Sequence, residues 1–471
     1  MVYCLIINFE KATNRLFVER KLKLSFAKYI NLEVYMDKQE LKKIICDTID
    51  NHKDEIVEIG KRILENPELG FKEITTSETV KETFSKLGLE YKDKLALTGV
   101  KAYLRGKDSK IKVAVMGEMD AVLCPLHPHA DSKTGAAHSC GHNTQVAAML
   151  GAAIGFVKSG VKEYLDGDVV FMSVPAEEFV ELEYRERLKK EGKISFLGGK
   201  QELINVGAFD DVDMAMMVHC QPNTPQRKSY IGGSSTGFIG KTVRFKGKEA
   251  HAGGEPHAGI NALNAAMAAL MCIHAQRETF RDEDQIRVHP IITKGGDLVN
   301  IVPADVRMET FVRGKNMDAV LSANKKVNRA IEGGAYAIGA EVEITELPGY
   351  LPMVQNDTMS DLFKDNSIQL IGEENIIEGI NMVGSTDIGD LGSVLPVIQP
   401  NMGGVTGAAH SQEYEIVDEE AVYIIPAKAM AMTVVDLLWD GAKIAGEIKK
   451  NSKPQFTKDS YLKFMDDIIK A

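Results

Sequence analysis

His138-Ser139-Cys140-Gly141-His142-Asn143 packs two histidines and a thiol into five residues of a 471-residue chain that has only 11 histidines and 6 cysteines. Cys140 and His142 are two apart, so locally extended backbone would project both to one side, as two ligands of one metal ion require. Gly141 between them lets the chain turn tightly and approach an ion. A buried cysteine beside a surface histidine explains many such pairs, so the weight of the motif depends on its surroundings.

Those surroundings are apolar runs that each end in ligand-type residues. Ile111–Met116 ends at Gly117-Glu118-Met119-Asp120, Val169–Val174 at Pro175-Ala176-Glu177-Glu178, and Met214–Val218 at His219. Between the first two, Thr144–Phe156 reads as a buried, Ala-rich helix. Buried strands alternating with helices predict an α/β fold, a mixed sheet with helices on both faces. In such sheets, sites gather at the carboxyl ends of strands. Upstream, apolar residues spaced by three and four over Asp37–Glu65 predict an amphipathic helix stopped by Asn66-Pro67. A second helix is predicted over Thr76–Leu87, with Gly88 as its stop. Met36 opens a well-formed helical pattern, so residues 1–35 read as a poorly packed extension or an upstream misreading of the start codon; their apolar run Val2–Ile7 is too short, and lacks the basic flank, for a secretory signal.

Prolines mark two changes of character, at Gln221–Gln226 and at Pro348-Gly349. Between them the order is strand (Gly237–Phe245), helix (Ile260–Gln276), strands (Gln285–Ile292 and Val299–Val312), helix (Met317–Ala337) and strand (Glu341–Glu346). This β-α-β-β-α-β order predicts a compact inserted domain of the ferredoxin-like kind at 223–347, which the resemblance described below implies is a lid and dimerisation domain. Residues 36–222 and 348–471 then form the metal-binding catalytic domain, closing with strand Val394–Gln399 and a long helix from Asp418 kinked at Pro426. The Ala-rich stretch Ala262–Ala269 permits the close packing of a homodimer.

Composition narrows the partners. A net charge of −11, from 56 basic and 67 acidic residues, argues against nucleic acid. The cysteines at 4, 46, 124, 140, 220 and 272 form no short-spaced framework and suit a reducing cytoplasm. No run of 18 apolar residues is present to span a membrane.

Neighbouring side chains at a strand end point apart, so Glu177 and Glu178 can divide the labour of metal-assisted amide hydrolysis: one holds an ion, the other serves as base. A solvated acidic turn explains a bare Glu-Glu pair as well. His219 at a strand end reads equally as a core residue, and His410, in the small-residue loop Gly403–Ser411, as a loop histidine. His127 and His129 around Pro128 are a rival pair with no carboxylate nearby. One thiolate, three imidazoles and two carboxylates at one sheet edge suit Zn²⁺, and would also take Mn²⁺, Co²⁺ or Ni²⁺.

With these motifs in order along about residues 40 to 440, the chain resembles the dinuclear metallo-amidohydrolases of the aminoacylase and carboxypeptidase-G kind (metallopeptidase clan MH). It is most similar to the branch of N-acyl-amino-acid, auxin-conjugate and p-aminobenzoyl-glutamate hydrolases. The resemblance rests on Asn66–Phe71, Glu118–Ala121, His138–Asn143, Pro175–Glu178, His251-Ala252-Gly253-Gly254, Gly259–Leu263, Asn300–Pro303, Arg313, Ser385-Thr386-Asp387 and Gly404–Ser411. It implies two divalent ions held by Cys140, His142, Glu178, His219 and His410, with the Cys140 sulfur bridging them. Glu177 would be the general base, Asp120 would orient a ligand imidazole, and His251 would stabilise the oxyanion across a dimer interface. Asn300 and Arg313 would grip the carboxylate of a small-molecule substrate. The implied activity is hydrolysis of an N-acyl amino acid, a p-aminobenzoyl-glutamate-like conjugate or a dipeptide. An aminopeptidase or dipeptidase on the same scaffold, or a non-catalytic metal-bearing binding protein, is the alternative. This chain departs from many relatives at Asn143, at Met116-Gly117-Glu118 and in the charged segment Phe179–Lys200.

Overall fold

The strands Lys112–Glu118 and Asp168–Val174 are buried along almost their whole length, which is stable only when both faces of a sheet are covered. In the computed structural model, which describes residues 36–469, these two strands pair in parallel from Lys112 opposite Asp168 to Glu118 opposite Val174. The expected extension 1–35 lies outside the described residues. Met214–Met216 joins in parallel on the other side of Lys112–Glu118, and Val397–Ile398 in parallel beyond it. Glu90–Leu95 and Gly99–Leu104 add two antiparallel strands, completing a mixed six-stranded sheet.

Because successive side chains alternate across a strand, the sheet feeds two cores. Val113, Val115, Val169, Phe171, Met214 and Met216 pack with Ile45, Ile56, Leu150 and Val434 from helices on one face. Ala114, Met116, Val170, Met172 and Ala215 pack with Leu203, Leu391, Tyr461 and Met465 on the other. The mixed sheet with helices on both faces is therefore observed. The helix His142–Ser159 approaches the Lys112–Glu118 strand closely, since a Cβ on Gly117 would stand 2.8 Å from the Gln145 backbone.

Residues 237–348 build a second sheet with a core of its own. Gly237–Lys246 lies between Asp305–Gly314 and Glu341–Pro348, antiparallel to both. Arg287–Val288 and Ile291–Lys294 pair with the far side of Asp305–Gly314, and the single strand expected there is split because Pro290 cannot donate to the ladder. Ala262–Ala275 and Met317–Ile338 cover this sheet through Ala265, Ala269, Val327 and Ile331. The chain order is the ferredoxin-like β-α-β-β-α-β.

Several expectations are corrected. The helix expected over Asp37–Glu65 is two, Lys38–Asn51 and Lys53–Leu64, broken where His52 leaves helical geometry (φ −115°, ψ 17°) and caps Thr48 O with its ring. Pro426 does not kink the late helix in its middle. It sits in the first turn of Ile425–Leu438, after a π-helical stretch Glu420–Ile424. The chain then continues into Lys443–Asn451 and Lys458–Ile469. Glu420–Leu438 is long and apolar enough to cross a membrane, but 94% of it is buried inside the protein, as a core helix would be.

Candidate metal centre

Strand ends and loops at one edge of the six-stranded sheet deliver the candidate donors. Cys140 lies in a turn and His142 opens the following helix, so the extended backbone expected between them is not found. They converge through Gly141 instead, at φ +85°, where a Cβ would strike Tyr414 Oη (2.3 Å) and crowd Cys220 Sγ (3.1 Å). His410 also has a left-handed backbone (φ 59°), and its amide donates to Ser139 O at 2.8 Å, fastening its loop to the cysteine loop.

Two groups of donor atoms result, each with all atoms within 4.8 Å of one another: Cys140, His142 and His219, and Cys140, Glu178 and His410. Cys140 belongs to both. Its Sγ is 3.5 Å from His219 Nε2, and Glu178 Oε1 is 3.1 Å from His410 Nε2. Two donors bound at about 2.0–2.3 Å to one tetrahedral ion lie about 3.3–3.8 Å apart, so the Cys140–His219 spacing fits a shared cation, and the Glu178–His410 pair would need to open by only a few tenths of an ångström. His142 tests this fit most directly. Its Nδ1 faces the Asp120 carbonyl (2.8 Å) and Oδ1 (3.2 Å), which keeps the ring proton there. Its buried Nε2 makes no hydrogen bond although Glu118 Oε2 is 3.2 Å away. A lone pair held between carboxylates in a dry site is what a divalent ion would satisfy.

The electrostatics separate the two glutamates. Burial, with the charges of Glu118 and Glu178, pushes Glu177 well above the usual carboxylate range. Burial would raise Glu178 too, but the bond and charge of His410 outweigh it and hold that carboxyl low. Burial and the Glu178 charge push the Cys140 thiol up, while a coordinated thiol gives up its proton to the ion. Asp120 ties the pieces together, accepting the Glu178 amide on Oδ2 at 2.8 Å.

Three buried residues went unread in the sequence. Glu118 shares a third group with His142 and Glu177. It accepts from Gln145 Nε2 at 2.7 Å and from the Lys200 ammonium. Lys200 also donates to Asp387 Oδ1 at 2.5 Å, so one fully buried cation bridges two carboxylates. Nothing in the charged run Phe179–Lys200 singles out its last residue, and the only sign of Asp387 was the Ser-Thr-Asp motif.

The remaining candidates lie elsewhere. His251 and Asn300 are exposed in adjoining loops of the 237–348 unit, and among the described residues no hydrogen bond or ion pair links them to the donors above. Arg313 is half-buried against the Phe238 ring (5.1 Å) and donates to Ser385 Oγ at 3.1 Å, and no carboxylate among the described residues pairs with it. The structure does not bring the rival pair into either donor group. His127 is held by Tyr414 O and the His129 amide, and lines a cavity of about 270 Å³ with His129 and His138.

A sheet edge carrying two donor groups that share a thiol, with a further buried carboxylate beside them, fits a hydrolase of amide or peptide bonds that works with divalent metal. The chain belongs to peptidase family M20/M25/M40, whose sequence profile matches residues 114–435, more than half of its length. It is 28% identical over 354 residues to a Xaa-Arg dipeptidase of Mus musculus, covering 73% of this chain and 75% of that one. It is 26% identical over 388 residues to an IAA-amino acid hydrolase of Arabidopsis thaliana, covering 79% and 83%. Among solved structures it shares its fold with a dinuclear metal-binding peptidase of that family from Bacillus subtilis (TM-score 0.63, 21% identity, 83% and 99% covered). An aminobenzoyl-glutamate utilization protein from Klebsiella pneumoniae is similar (TM-score 0.64, 18% identity, 84% and 98% covered).

Proposed function

We propose that this chain hydrolyses an amide bond next to a free carboxylate, in an N-acyl amino acid, an aminobenzoyl-glutamate-like conjugate or a dipeptide. The observation that carries the reading is the membership of Cys140 in both donor groups, with Glu177 beside them at 3.9 Å from His142 Nε2. Cys140, His142 and His219 would hold one divalent ion and Cys140, Glu178 and His410 the other, zinc or manganese by donor type. Bound there, the ions supply positive charge that polarises the amide carbonyl and eases deprotonation of water. Glu177 takes the proton from the attacking water and returns it to the leaving amine. Asp120 fixes the tautomer and aim of His142.

The guanidinium of Arg313, ion-paired with no carboxylate among the described residues, supports its role in gripping the substrate carboxylate, helped by Asn300. His251 is exposed, as befits a group that completes the oxyanion site of a second copy of the chain. Apolar residues at the outside of the 237–348 unit, Met267, Met271 and Ile291, support a homodimer through that face. The free state of Cys46, Cys124, Cys140, Cys220 and Cys272 supports a reducing, cytoplasmic setting.

The test is a panel of N-acyl amino acids, aminobenzoyl-glutamate and dipeptides, each also with its carboxylate amidated. Hydrolysis lost to a chelator, restored by zinc or manganese and abolished by amidation is expected. Equal turnover of the amidated compounds would remove the carboxylate from the reading.

A further inference from the structure

The two glutamates of the site follow Ala176, whose backbone is left-handed (φ 51°), a conformation that a non-glycine residue keeps only when its surroundings impose it. Those surroundings grip the backbone on either side of the carboxylates. The Ala176 amide donates to Glu73 Oε1 at 2.8 Å, the Ala176 carbonyl accepts from the Gly199 amide at 3.0 Å, and the Glu177 carbonyl accepts from Tyr350 Oη. The guanidinium of Arg185 then spans the pair. Nη1 donates to Ala176 O at 3.3 Å and to Leu197 O at 2.7 Å, while Nη2 donates to Glu178 O.

Arg185 comes from the charged helix Leu182–Lys190, yet its side chain is 1% exposed. No carboxylate is ion-paired to it among the described residues, so its charge is spent on main-chain oxygens. The slot it occupies is built by another part of the chain. The Phe71 ring lies 5.4 Å from the guanidinium carbon, and a Cβ on Gly70 would stand 2.4 Å from Nη2. The Asn66–Phe71 motif thus acquires a purpose: it clears and floors a place for an arginine.

We propose that Arg185 is a positioning residue for Glu177 and Glu178, holding the peptide run that aims one carboxylate at an ion and the other at the attacking water. The inference rests on the two-metal reading above. Its reach is asymmetric, because Glu178 belongs to the donor group with His410, whereas His142 and His219 are held by Asp120 and by the Cys220 carbonyl.

The experiment titrates metal-free wild-type, Arg185→Lys and Arg185→Ala proteins with Zn²⁺, and repeats turnover with added guanidinium. An ammonium carries its donors on one nitrogen and cannot reproduce bonds made from both Nη1 and Nη2, so Arg185→Lys should bind the more weakly held ion about 10–100-fold less tightly, the usual loss for a group that orients a ligand. The other ion should bind within about threefold of wild type, and kcat should fall while KM stays within about threefold. Guanidinium should restore turnover in Arg185→Ala along a saturating curve. If Arg185→Ala does not fold, the lysine variant carries the test alone. Two ions bound at wild-type strength in Arg185→Lys, or both weakened equally, would overturn the proposal. A wild-type chain that binds fewer than two ions would overturn the metal reading itself, and this inference with it.

Discussion

Glu177 and Glu178 are sequence neighbours in opposite electrostatic settings, and their substitutions should separate accordingly. Glu177→Gln should keep its metal content, measured by elemental analysis, and lose roughly a hundred- to ten-thousand-fold in kcat, the worth of a positioned base. Asp120→Asn should act on affinity instead, weakening metal binding about 10–100-fold because the aim of His142 is lost. Lys200→Met would leave Glu118 and Asp387 buried without their shared cation. A loss of about 3–5 kcal/mol is expected from urea unfolding, as for a broken buried ion pair. The donors were legible because Cys140, His142, Glu178, His219 and His410 each stand at a strand end or in a small-residue loop. Glu118 and Lys200 were not, because a carboxylate and an ammonium reveal their pairing only once distant segments fold together.

Within single elements, the short helix Ile388–Gly392 carries a titrating group that its loop-like sequence hides. Asp390 accepts from Tyr461 Oη at 2.7 Å and from the Leu351 amide at 3.3 Å, contacts that favour its charged form. Burial outweighs them and pushes its pKa up to about 8. An unfolded chain loses this proton near 3.8 while the folded chain keeps it, so between about pH 4 and pH 8 stability falls as pH rises. Asp390→Asn should flatten that part of the slope, read from urea midpoints at about pH 5 and about pH 8. The strands were legible from unbroken apolar runs, and the helices on 237–348 from their three-and-four spacing. The end of the late helix was not, although Asp440-Gly441 marked it with left-handed backbone at both residues.

For the molecule as a whole, the 237–348 unit has a core of its own beneath its two helices, while its Ile239, Met317, Val320 and Leu347 pack with the six-stranded sheet, and the two proline-marked changes of composition flank it. The convergence of residues 140 and 410 was legible only as a shared sheet edge, since no local pattern reports which of their atoms meet. If copies meet through the outer face of the 237–348 unit, Met271→Glu should turn a dimer into a monomer in sedimentation at micromolar concentration, leaving zinc binding within about threefold of wild type. The joint between early and late segments has a further effect. Val397–Ile398 extends the sheet from Met214–Met216, and the loop bearing His410 follows it, so a nascent chain cannot complete either the sheet edge or the second donor group until its last quarter leaves the ribosome. Residues 422–438 and 461–468, which fill the cores on the two faces of that sheet, follow the His410 loop, so metal acquisition would be a finishing step that goes with core closure. Cells starved of zinc or manganese should accumulate a folded, protease-resistant but inert form that later supply activates without new synthesis.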